Sequence, residues 1–492
     1  MNYIGISNKF HDAALSVVDD KGNILFAGHS ERYSKVKHDS ELCTDLAKDA
    51  KQYCNDINYK IHYYERPFVT QLRQLRAGQK IDFNTAKGRI GKDILRLFNN
   101  PSVTTHNHHL SHAAAGFQTS PFLDATVVVV DAIGEFDTIS IWHAEYNDKG
   151  IAQYKKLYSQ QYPHSIGLFY SAMTEKVGLK PLDEEYILMG MAAYGTPRYQ
   201  DDMLKLIHSL KDIEFSTNLH IGLDSNFLNN AYDMDVASSA QEIVESLLRI
   251  IMSKAKNLSK SNNLVYGGGV ALNCLANRML GEYFDNIWIM PNPGDAGSSL
   301  GAAALGYGKR LHWYNAYLGK NIPGKYPVND ILSLLQTDKI VGVASGRAEF
   351  GPRALGNRSL LADPRGPEIK DKVNEIKRRQ KFRPFAPVIL EEYVDKYFTM
   401  PKNWQNSRYM QVVAKCNYPD IYPAIIHADG TSRVQTVPKD GSGIRELLEK
   451  WYVLTECPML LNTSLNIRGE PMVNDRIDAD RFETQYNLRV CS

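Results

Sequence analysis

Residues 125–142 read ATVVVVDAIGEFDTISIW, and this stretch decides the fold class. The β-branched run 125–130 predicts a buried strand, residues 131–137 predict a loop, and residues 138–142 predict a returning strand. Residues 3–27, YIGISNKFHDAALSVVDDKGNILFA, have the same order of strand, loop and strand. Two copies of one unit, one at the start of each half, predict a duplicated α/β domain.

Such a repeat is typical of the actin/hexokinase/Hsp70-type (ASKHA) ATPase fold, whose loops approach nucleotide phosphates from both lobes. In the second half, the predicted strand 264–266 runs into Gly267, Gly268 and Gly269, and a helix is expected from Ala271. Backbone N–H groups at a helix start suit phosphate, so the glycines are candidate nucleotide-binding residues. We assign Asn273 to the same site. The alternative is a tight turn that needs glycine only for packing.

The composition is that of a soluble globular chain, with 43% hydrophobic residues, 23% charged residues and a net charge of +2. The sequence shows neither a signal peptide nor an uninterrupted apolar run of about 18 residues. Its six cysteines include no C-x-x-C pair. These features predict a cytoplasmic protein with reduced cysteines and no membrane segment.

A chain of 492 residues is too long for one ordinary core, so we expect more than one domain. The pattern loosens through Trp313, Pro323 and Pro327, which predicts a linker over residues 306–337. The first domain is then 1–305, with lobes of about 1–122 and 123–305. A second, smaller α/β domain is predicted over 338–492.

Two histidines and two aspartates are candidate metal ligands. His108 and His112 are four residues apart, so on a helix both imidazoles would project from one face. Asp131 closes the apolar strand, and Asp295 lies in a Pro-Gly-Asp-Ala-Gly turn before a predicted helix, 299–307. Mixed imidazole and carboxylate ligands suit Fe(II), Mn(II) or Zn(II) better than Mg(II). Core or capping histidines are the alternative.

Residues 346–365, GRAEFGPRALGNRSLLADPR, place four arginines among glycines and prolines directly after the apolar run 340–344. Glycine lets the backbone approach a ligand, and each guanidinium can donate two parallel hydrogen bonds. The segment, called here the arginine loop, therefore predicts a site for phosphate or another compact anion. The alternative is a solvated loop whose arginines pair with surface carboxylates.

The segment Lys60–Arg96 carries nine Lys or Arg residues against three acids, a local net charge of +6, with tyrosines at its start. Basic residues mixed with aromatic residues can form a surface for a nucleic-acid backbone, so DNA is one candidate partner. The alternative is a solvated helix face.

Many short segments, in order along the chain, resemble the NodU/CmcH O-carbamoyltransferases. They are residues 11–14 (HDAA), 31–32 (ER), 35–39 (KVKHD), 108–114 (HHLSHAA), 190–195 (GMAAYG), 267–273 (GGGVALN), 293–297 (PGDAG), 349–359 (EFGPRALGNRS) and 461–466 (LNTSLN). The chain departs from the family in being shorter. It also lacks the lysine that often precedes the Met-Gly segment, where residues 185–189 read EYILM.

This resemblance implies an ATP-dependent O-carbamoyltransferase with an ASKHA domain and a C-terminal YrdC-like domain. It implies an iron(II) ion, or a similar divalent metal, at His108, His112, Asp131 and Asp295, and catalytic roles for His11 and Lys37. Carbamoyl phosphate and ATP, the latter with Mg(II), are assigned to Arg353, Arg358, Lys377, Arg383, Asn462 and Ser464. In the implied reaction, carbamoyl adenylate forms from carbamoyl phosphate and ATP, and an acceptor hydroxyl then takes the carbamoyl group.

The acceptor is left open by the sequence. A sugar or another small-molecule hydroxyl is favoured, and a hydroxymethylated pyrimidine in phage-type DNA is the alternative. A sugar kinase on the same fold would leave the arginine loop unexplained. A nucleotide-sensing protein without catalysis is the rival of another class. Assembly of identical chains into a homo-oligomer is also left open.

Overall fold

The structure is a computed structural model that describes the whole chain, Met1–Ser492. The α/β prediction is confirmed: several mixed or antiparallel sheets alternate with helices. The chain forms two compact units. Unit 1 comprises Met1–Ser30 and His38–Tyr314, and unit 2 comprises Glu31–Lys37 and Asn315–Ser492. None of the helices is both long enough and apolar enough to span a bilayer.

Unit 1 contains twelve strands, most of them in two five-stranded sheets. They are β1 (Asn2–Ser7), β2 (Ala14–Asp19), β3 (Ile24–His29), β4 (Tyr59–Tyr63), β5 (Val103–Thr105), β6 (Asp124–Gly134), β7 (Asp137–Tyr146), β8 (Ala152–Gln161), β9 (Ile207–Ser209), β10 (Glu214–Phe215), β11 (Asn263–Gly267) and β12 (Asn286–Trp288). Its α-helices are Thr44–Gln52, Pro67–Arg76, Ala86–Ile90, Lys92–Leu97, His108–Phe117, Ile166–Lys176, Glu185–Met191, Gln200–Leu204, Asp233–Leu258 and Ser298–Tyr307.

The two five-stranded sheets have the same topology. The first has the order β3-β2-β1-β4-β5, and the second has the order β8-β7-β6-β11-β12. In each sheet the first three strands of the chain form an antiparallel meander. The last two strands then run parallel to the first strand. The strand, loop and strand units read from the sequence are therefore the first two strands of two matching sheets.

Helix His108–Phe117 packs its alanine-rich face on the second sheet. Its apolar core includes Ala113, Phe117, Val127, Val129 and Val265, all 6% exposed or less. The helix begins where the side chain of Asn107 accepts a hydrogen bond of 2.9 Å from the Leu110 N–H, a favourable N-cap. This cap fixes the turn of helix that carries His108.

The strands of unit 2 are β13 (Tyr317–Ile322), β14 (Ile340–Ala344), β15 (Gly346–Glu349), β16 (Arg358–Ala362), β17 (Ala386–Leu390), β18 (Phe398–Thr399), β19 (Val413–Cys416), β20 (Thr431–Arg433), β21 (Gln435–Val437), β22 (Met459–Ser464) and β23 (Val490–Cys491). Six of them form a mixed sheet with the order β21-β17-β22-β16-β14-β23. Its α-helices are Glu31–Ser34, Val328–Thr337, Glu368–Ile376, Val394–Tyr397, Gly443–Thr455 and Arg476–Tyr486.

The structure differs from the expected layout in three places. The segment 306–337, expected as a linker, contains β13 and helix Val328–Thr337, and both belong to unit 2. Residues 31–37 also belong to unit 2 although they lie early in the chain. The helix expected from Ala271 is only a 3-10 turn, Gly269–Leu272. Sequence patterns report local periodicity, whereas these differences come from long-range packing.

Helix Ser298–Tyr307 approaches its neighbours too closely for side chains at two contacts. A Cβ atom at Gly5 of β1 would lie 1.8 Å from the Ser299 carbonyl oxygen. A Cβ atom at Gly301 would lie 1.8 Å from the carbonyl oxygen of Ser111, which lies between His108 and His112 on its helix. Glycine at these positions therefore sets where the two histidines lie.

We expect Gly301→Ala to lower the free energy of unfolding by about 1–3 kcal/mol, because the new methyl group must displace helix His108–Phe117. Urea denaturation would measure the loss. Gly190→Ala is the matched control, since a Cβ atom there has no neighbour within 4 Å. Equal stability of the two variants would contradict the close-packing argument.

Candidate metal centre and anion-binding loop

Four buried side chains of unit 1 converge at one point. His108, His112, Asp131 and Asp295 are 1–8% exposed, and one ligand atom from each lies within 4.8 Å of the others. The two Nε2 atoms are 3.1 Å apart. Asp131 Oδ2 lies 3.3 Å from His108 Nε2 and 3.2 Å from His112 Nε2, and Asp295 Oδ1 lies 3.2 Å from each.

The opposite ring nitrogens face oxygen atoms. His112 Nδ1 donates to the Pro293 carbonyl oxygen over 3.0 Å, and His108 Nδ1 lies 3.7 Å from Glu65 Oε2. A carbonyl oxygen can only accept, so the Nδ1 atom of His112 carries a proton and its Nε2 lone pair is left for the cluster. Imidazoles that ligate metals commonly have such partners on their outer nitrogen.

Burial and charge oppose each other in this cluster. Burial alone would lower the pKa of His108, but the charge of Asp295 and hydrogen bonds to both carboxylates raise it well above its ordinary value. Burial would raise the pKa of Asp131, but hydrogen bonds from both histidines hold it well below its usual range. The same partners lower the pKa of Asp295 to about 2. The carboxylates therefore stay ionised, and their charge is balanced by the imidazoles or by a bound cation.

The donor set fits a divalent transition metal. Ligands about 2.0–2.2 Å from one ion lie roughly 3–3.5 Å from their neighbours, close to the separations found here. Two imidazole nitrogens with two carboxylate oxygens suit Fe(II), Mn(II) or Zn(II). His108, His112, Asp131 and Asp295 would hold such an ion.

The glycine turn after β11 supports the cluster directly. Gly268 has φ +88°, and a Cβ atom there would lie 2.2 Å from the Val130 carbonyl oxygen. The Gly269 N–H donates to Asp131 Oδ1 over 3.1 Å, as does the Ala132 N–H over 2.9 Å. One N–H group expected to face a nucleotide phosphate is thus used to orient a carboxylate. The turn needs glycine for close packing, the alternative that the sequence left open.

Asn273 is 7% exposed and exchanges hydrogen bonds with the side-chain amide of Gln241, over 3.0 and 3.2 Å. Its Oδ1 atom also accepts from the Ala276 N–H over 3.1 Å. The side chain therefore fixes the 3-10 turns after β11 to the long helix Asp233–Leu258.

A chain of ion pairs leads from the cluster through His11. His11 Nε2 lies 4.0 Å from Asp295 Oδ2, and His11 Nδ1 lies 3.0 Å from Asp12 Oδ2. Asp12 Oδ1 is 2.7 Å from His38 Nδ1, and His38 Nε2 is 2.7 Å from Asp183. Burial would lower the pKa of His11, but the Asp12 hydrogen bond and the charges of Asp295 and Asp12 raise it to about 10.

Sequence reasoning assigned no role to Asp12, His38, Asp183 or Glu65. Two of these residues, Asp12 and His38, have an unusual backbone conformation, with φ of +53° and +52°, which non-glycine residues rarely adopt. Backbone angles cannot be read from residue letters. Lys37, the second expected catalytic residue, belongs to unit 2, where its Nζ atom lies 3.0 Å from Glu31 Oε2.

Arg358 of the arginine loop is completely buried and its donors are used within the protein. Its guanidinium donates to five backbone carbonyl oxygens, those of Lys320, Ser345, Gly346, Asn357 and Asn474, over 2.8–3.1 Å. All five N–H donors of an arginine are thereby satisfied. Arg358 holds the loop together and has no donor left for a ligand in this structure.

Lys377 has a similar internal role. It is 4% exposed, and its ammonium group donates to the backbone carbonyls of Ser464 and Asn466 and to the Asn466 side chain. It also lies 3.2 Å from the Ser464 hydroxyl, which donates to Asn466 Oδ1 over 2.6 Å. Lys377 therefore fixes the end of β22, where Ser464 lies.

The remaining expected ligands differ in exposure. Asn462 is 1% exposed, and its amide donates to the Ala354 carbonyl and to Gln435 Oε1, while its Oδ1 atom has no hydrogen-bond partner. Arg353 and Arg383 are half-buried, so solvent reaches part of each side chain. These two arginines are the ones in the expected set that a dissolved anion can reach.

Part of the basic segment Lys60–Arg96 faces inward. Arg73 and Arg89 are 2% and 4% exposed. Arg89 forms ion pairs with Glu65 and, over 3.0 Å, with Asp82, and Arg73 donates to Gln79 over 2.8 Å. These two cations do not contribute to a solvent-facing surface. The charge count of the segment therefore overstates its outward charge.

Two family profiles match the chain. "Carbamoyltransferase N-terminus" matches residues 45–304, and "Carbamoyltransferase C-terminus" matches residues 332–491. The uncharacterized protein sll1178 of Synechocystis sp. is 33% identical over 97% of the chain and 93% of its own length. Nodulation protein U of Sinorhizobium fredii is 36% identical over 93% of the chain and 92% of its own length.

Among solved structures, T. kodakarensis HypF aligns with 62% of the chain and 47% of its own length, at 12% identity and a TM-score of 0.38. A likeness at this level carries no argument about fold or activity.

Purified protein should carry about one transition-metal ion per chain, and His112→Ala should lose most of it because one of four ligands is removed. Elemental analysis by mass spectrometry measures the content. His109→Gln is the matched control, since His109 is equally buried but is bonded to Ser140 outside the cluster. Full metal content in His112→Ala would contradict the ligand assignment.

Proposed function

The chain belongs to the carbamoyltransferase family, and on that premise we propose that it is an ATP-dependent O-carbamoyltransferase that works through carbamoyl adenylate. The observation that carries this proposal is the convergence of His108, His112, Asp131 and Asp295 in one buried cluster. A sugar kinase does not need this set of metal ligands. A nucleotide-sensing protein without catalysis does not need four buried ionisable groups, whose burial costs free energy.

The first stage is proposed for unit 2. Carbamoyl phosphate reacts with water to give carbamate and phosphate. A carbamate oxygen then attacks the α-phosphorus of ATP, and the bond to pyrophosphate breaks. Arg353 and Arg383 supply cations that solvent can reach, and Asn462 and Ser464 are proposed as polar ligands. Arg358 and Lys377 are proposed to support this site by fixing its backbone. Mg(II) would accompany ATP.

The second stage is proposed for unit 1. The acceptor hydroxyl attacks the carbonyl carbon of carbamoyl adenylate, its proton passes to a base, and AMP leaves. His11 is proposed to contact the carbamoyl group or to act as an acid, because its ring lies 4.0 Å from Asp295, is held by Asp12, and has a pKa of about 10 that keeps it protonated. A metal ion held by the cluster would stabilise negative charge on oxygen. Lys37 remains a proposed catalytic residue. Exclusion of water protects the adenylate from hydrolysis.

The topology supports finer fold assignments. Two sheets with the same order and the same mixture of parallel and antiparallel strands are expected of the two lobes of an ASKHA domain. We therefore assign unit 1 to that fold, with a nucleotide site near Gly267–Gly269. Unit 2, with its single six-stranded mixed sheet, is proposed to be the YrdC-like domain.

The acceptor is proposed to be a small molecule with a free hydroxyl, such as a sugar. A hydroxymethylated pyrimidine in DNA is a second candidate, favoured by one specific observation. Phe68 and Phe83 are 69% and 82% exposed, and Arg76, Lys80 and Lys87 nearby in sequence are also exposed. Exposed aromatic rings among cations are what a nucleic-acid strand binds.

Pyrophosphate release should require both ATP and carbamoyl phosphate. Arg353→Ala and Arg383→Ala should each slow it by roughly tenfold or more, because each removes a charge-assisted contact typically worth about 1.5–3 kcal/mol. His108→Ala should largely spare pyrophosphate release while abolishing transfer to the acceptor. A coupled pyrophosphate assay and detection of the carbamoylated product by mass spectrometry measure the two steps.

Release of ADP, or pyrophosphate release without carbamoyl phosphate, would contradict the proposed reaction. If all three variants lost both steps equally, the division of labour between the units would be wrong.

If DNA is the acceptor, binding should weaken steeply with salt, with a log–log slope of about −0.9 for each phosphate neutralised on a duplex. Reversing Arg76, Lys80 and Lys87 to glutamate should abolish binding, measured by fluorescence anisotropy, and leave pyrophosphate release intact. Reversing the exposed Lys149, Lys211 and Lys260 changes net charge equally and is the control. If the wild-type protein does not bind DNA at low salt, the DNA acceptor is wrong and the small-molecule acceptor is the remaining candidate.

A further inference from the structure

Arg32 lies in the short segment Glu31–Lys37, which belongs to unit 2. Lys35 anchors this segment through an ion pair with Asp478, and the same ammonium group donates to the Arg32 carbonyl oxygen over 2.7 Å. Asp478 is itself fixed by the Asn474 N–H over 2.9 Å. The segment is therefore held in place, with the Arg32 side chain buried at 3% exposure.

The hydrogen bonds of Arg32 are incomplete for so buried a cation. Its Nη2 atom donates to the Gly351 carbonyl oxygen over 2.9 Å, and its buried Nε atom has no partner. Arg445 is equally buried, yet its guanidinium pairs with both oxygens of Glu392, over 2.6 and 2.7 Å, and with Glu449 over 2.7 Å. Leaving a buried donor unsatisfied is costly.

The charges around Arg32 do not balance. Arg358 and Arg32 are both buried, and the buried carboxylate of Glu349 is the acid that acts most strongly on each. Glu349 Oε1 already accepts from the N–H groups of Leu355, Asn357 and Arg358, over 2.8–3.2 Å. Glu31 also acts on Arg32, but its carboxylate pairs with Lys37.

The pKa values of both Arg32 and Arg358 are lowered in this environment. Burial and the neighbouring charge of Arg32 together lower the pKa of Arg358 to about 10, against the opposing charge of Glu349. Burial also lowers the pKa of Arg32. An anion bound between the arginine loop and Arg32 would relieve both effects.

We propose that Arg32 is a phosphate ligand of the anion site formed by the arginine loop. The partner of its Nη2 atom, Gly351, lies two residues before Arg353, which solvent reaches. A planar guanidinium can donate two parallel hydrogen bonds to two phosphate oxygens, and the Nε donor of Arg32 is unused. The inference rests on the proposed function of unit 2, since it adds a residue from the N-terminal segment to that site.

The test is binding of inorganic phosphate and of carbamoyl phosphate, measured by isothermal titration calorimetry on the full chain, with pyrophosphate release measured in parallel. Arg32→Gln should weaken phosphate binding at least tenfold. Arg32→Lys should weaken it nearly as much, because lysine keeps the charge but lacks the two parallel donors of a guanidinium. The KM for carbamoyl phosphate or for ATP should rise by a similar factor, and which one rises identifies the phosphate that Arg32 holds.

Arg445→Gln is the matched control, because it removes a buried arginine of unit 2 whose partners are all carboxylate or carbonyl oxygens of the protein. It should lower the melting temperature and leave phosphate binding unchanged. Unchanged phosphate affinity and unchanged KM values in folded Arg32→Lys would overturn the inference, whatever its stability. Absence of pyrophosphate release by the wild type would instead overturn the proposed function, so the two failures are distinct.

Discussion

The exclusion of water from four ionisable side chains is the constraint on which unit 1 depends. Each carboxylate of the cluster faces both imidazoles within 3.3 Å, so no group can lose its partners without leaving a buried charge. The close approaches at Gly268 and Gly301 bring the supporting backbone near enough to hold this geometry. Substitution at either glycine therefore bears on the chemistry as well as on packing.

Unit 2 also buries charged side chains, but it stabilises them with backbone carbonyl groups. Its buried cations Arg358 and Lys377 are neutralised mainly by the dipoles of backbone carbonyls, which turn loop ends toward a central cation. Arg358 fixes several segments at once, because its carbonyl partners include Lys320 of β13, Gly346 of the arginine loop and Asn474. A rigid loop costs less to order when a ligand binds, which favours its use as a binding site.

Sequence patterns could predict the repeated strands, the helix bearing His108 and His112, and the residue types of the cluster, because periodicity and spacing are local properties. They could not predict that Gly269 would bond Asp131 in place of a phosphate, since this depends on β6 and β11 being neighbours. They also could not separate Arg358 from Arg353. Both are arginines in one loop, and only the structure shows that Arg358 is completely buried whereas solvent reaches Arg353.

Burial also changes how the basic segment Lys60–Arg96 is interpreted. Arg89 counts toward its positive charge, yet it is buried against Glu65, whose other oxygen lies 3.7 Å from His108 Nδ1. Glu65 thus lies between Arg89 and the outer ring nitrogen of His108. An oxygen at that position orients a metal-ligating imidazole, with Nε2 toward the ion. Part of the charge that suggests a nucleic-acid surface is therefore accounted for by the electrostatics of the cluster itself.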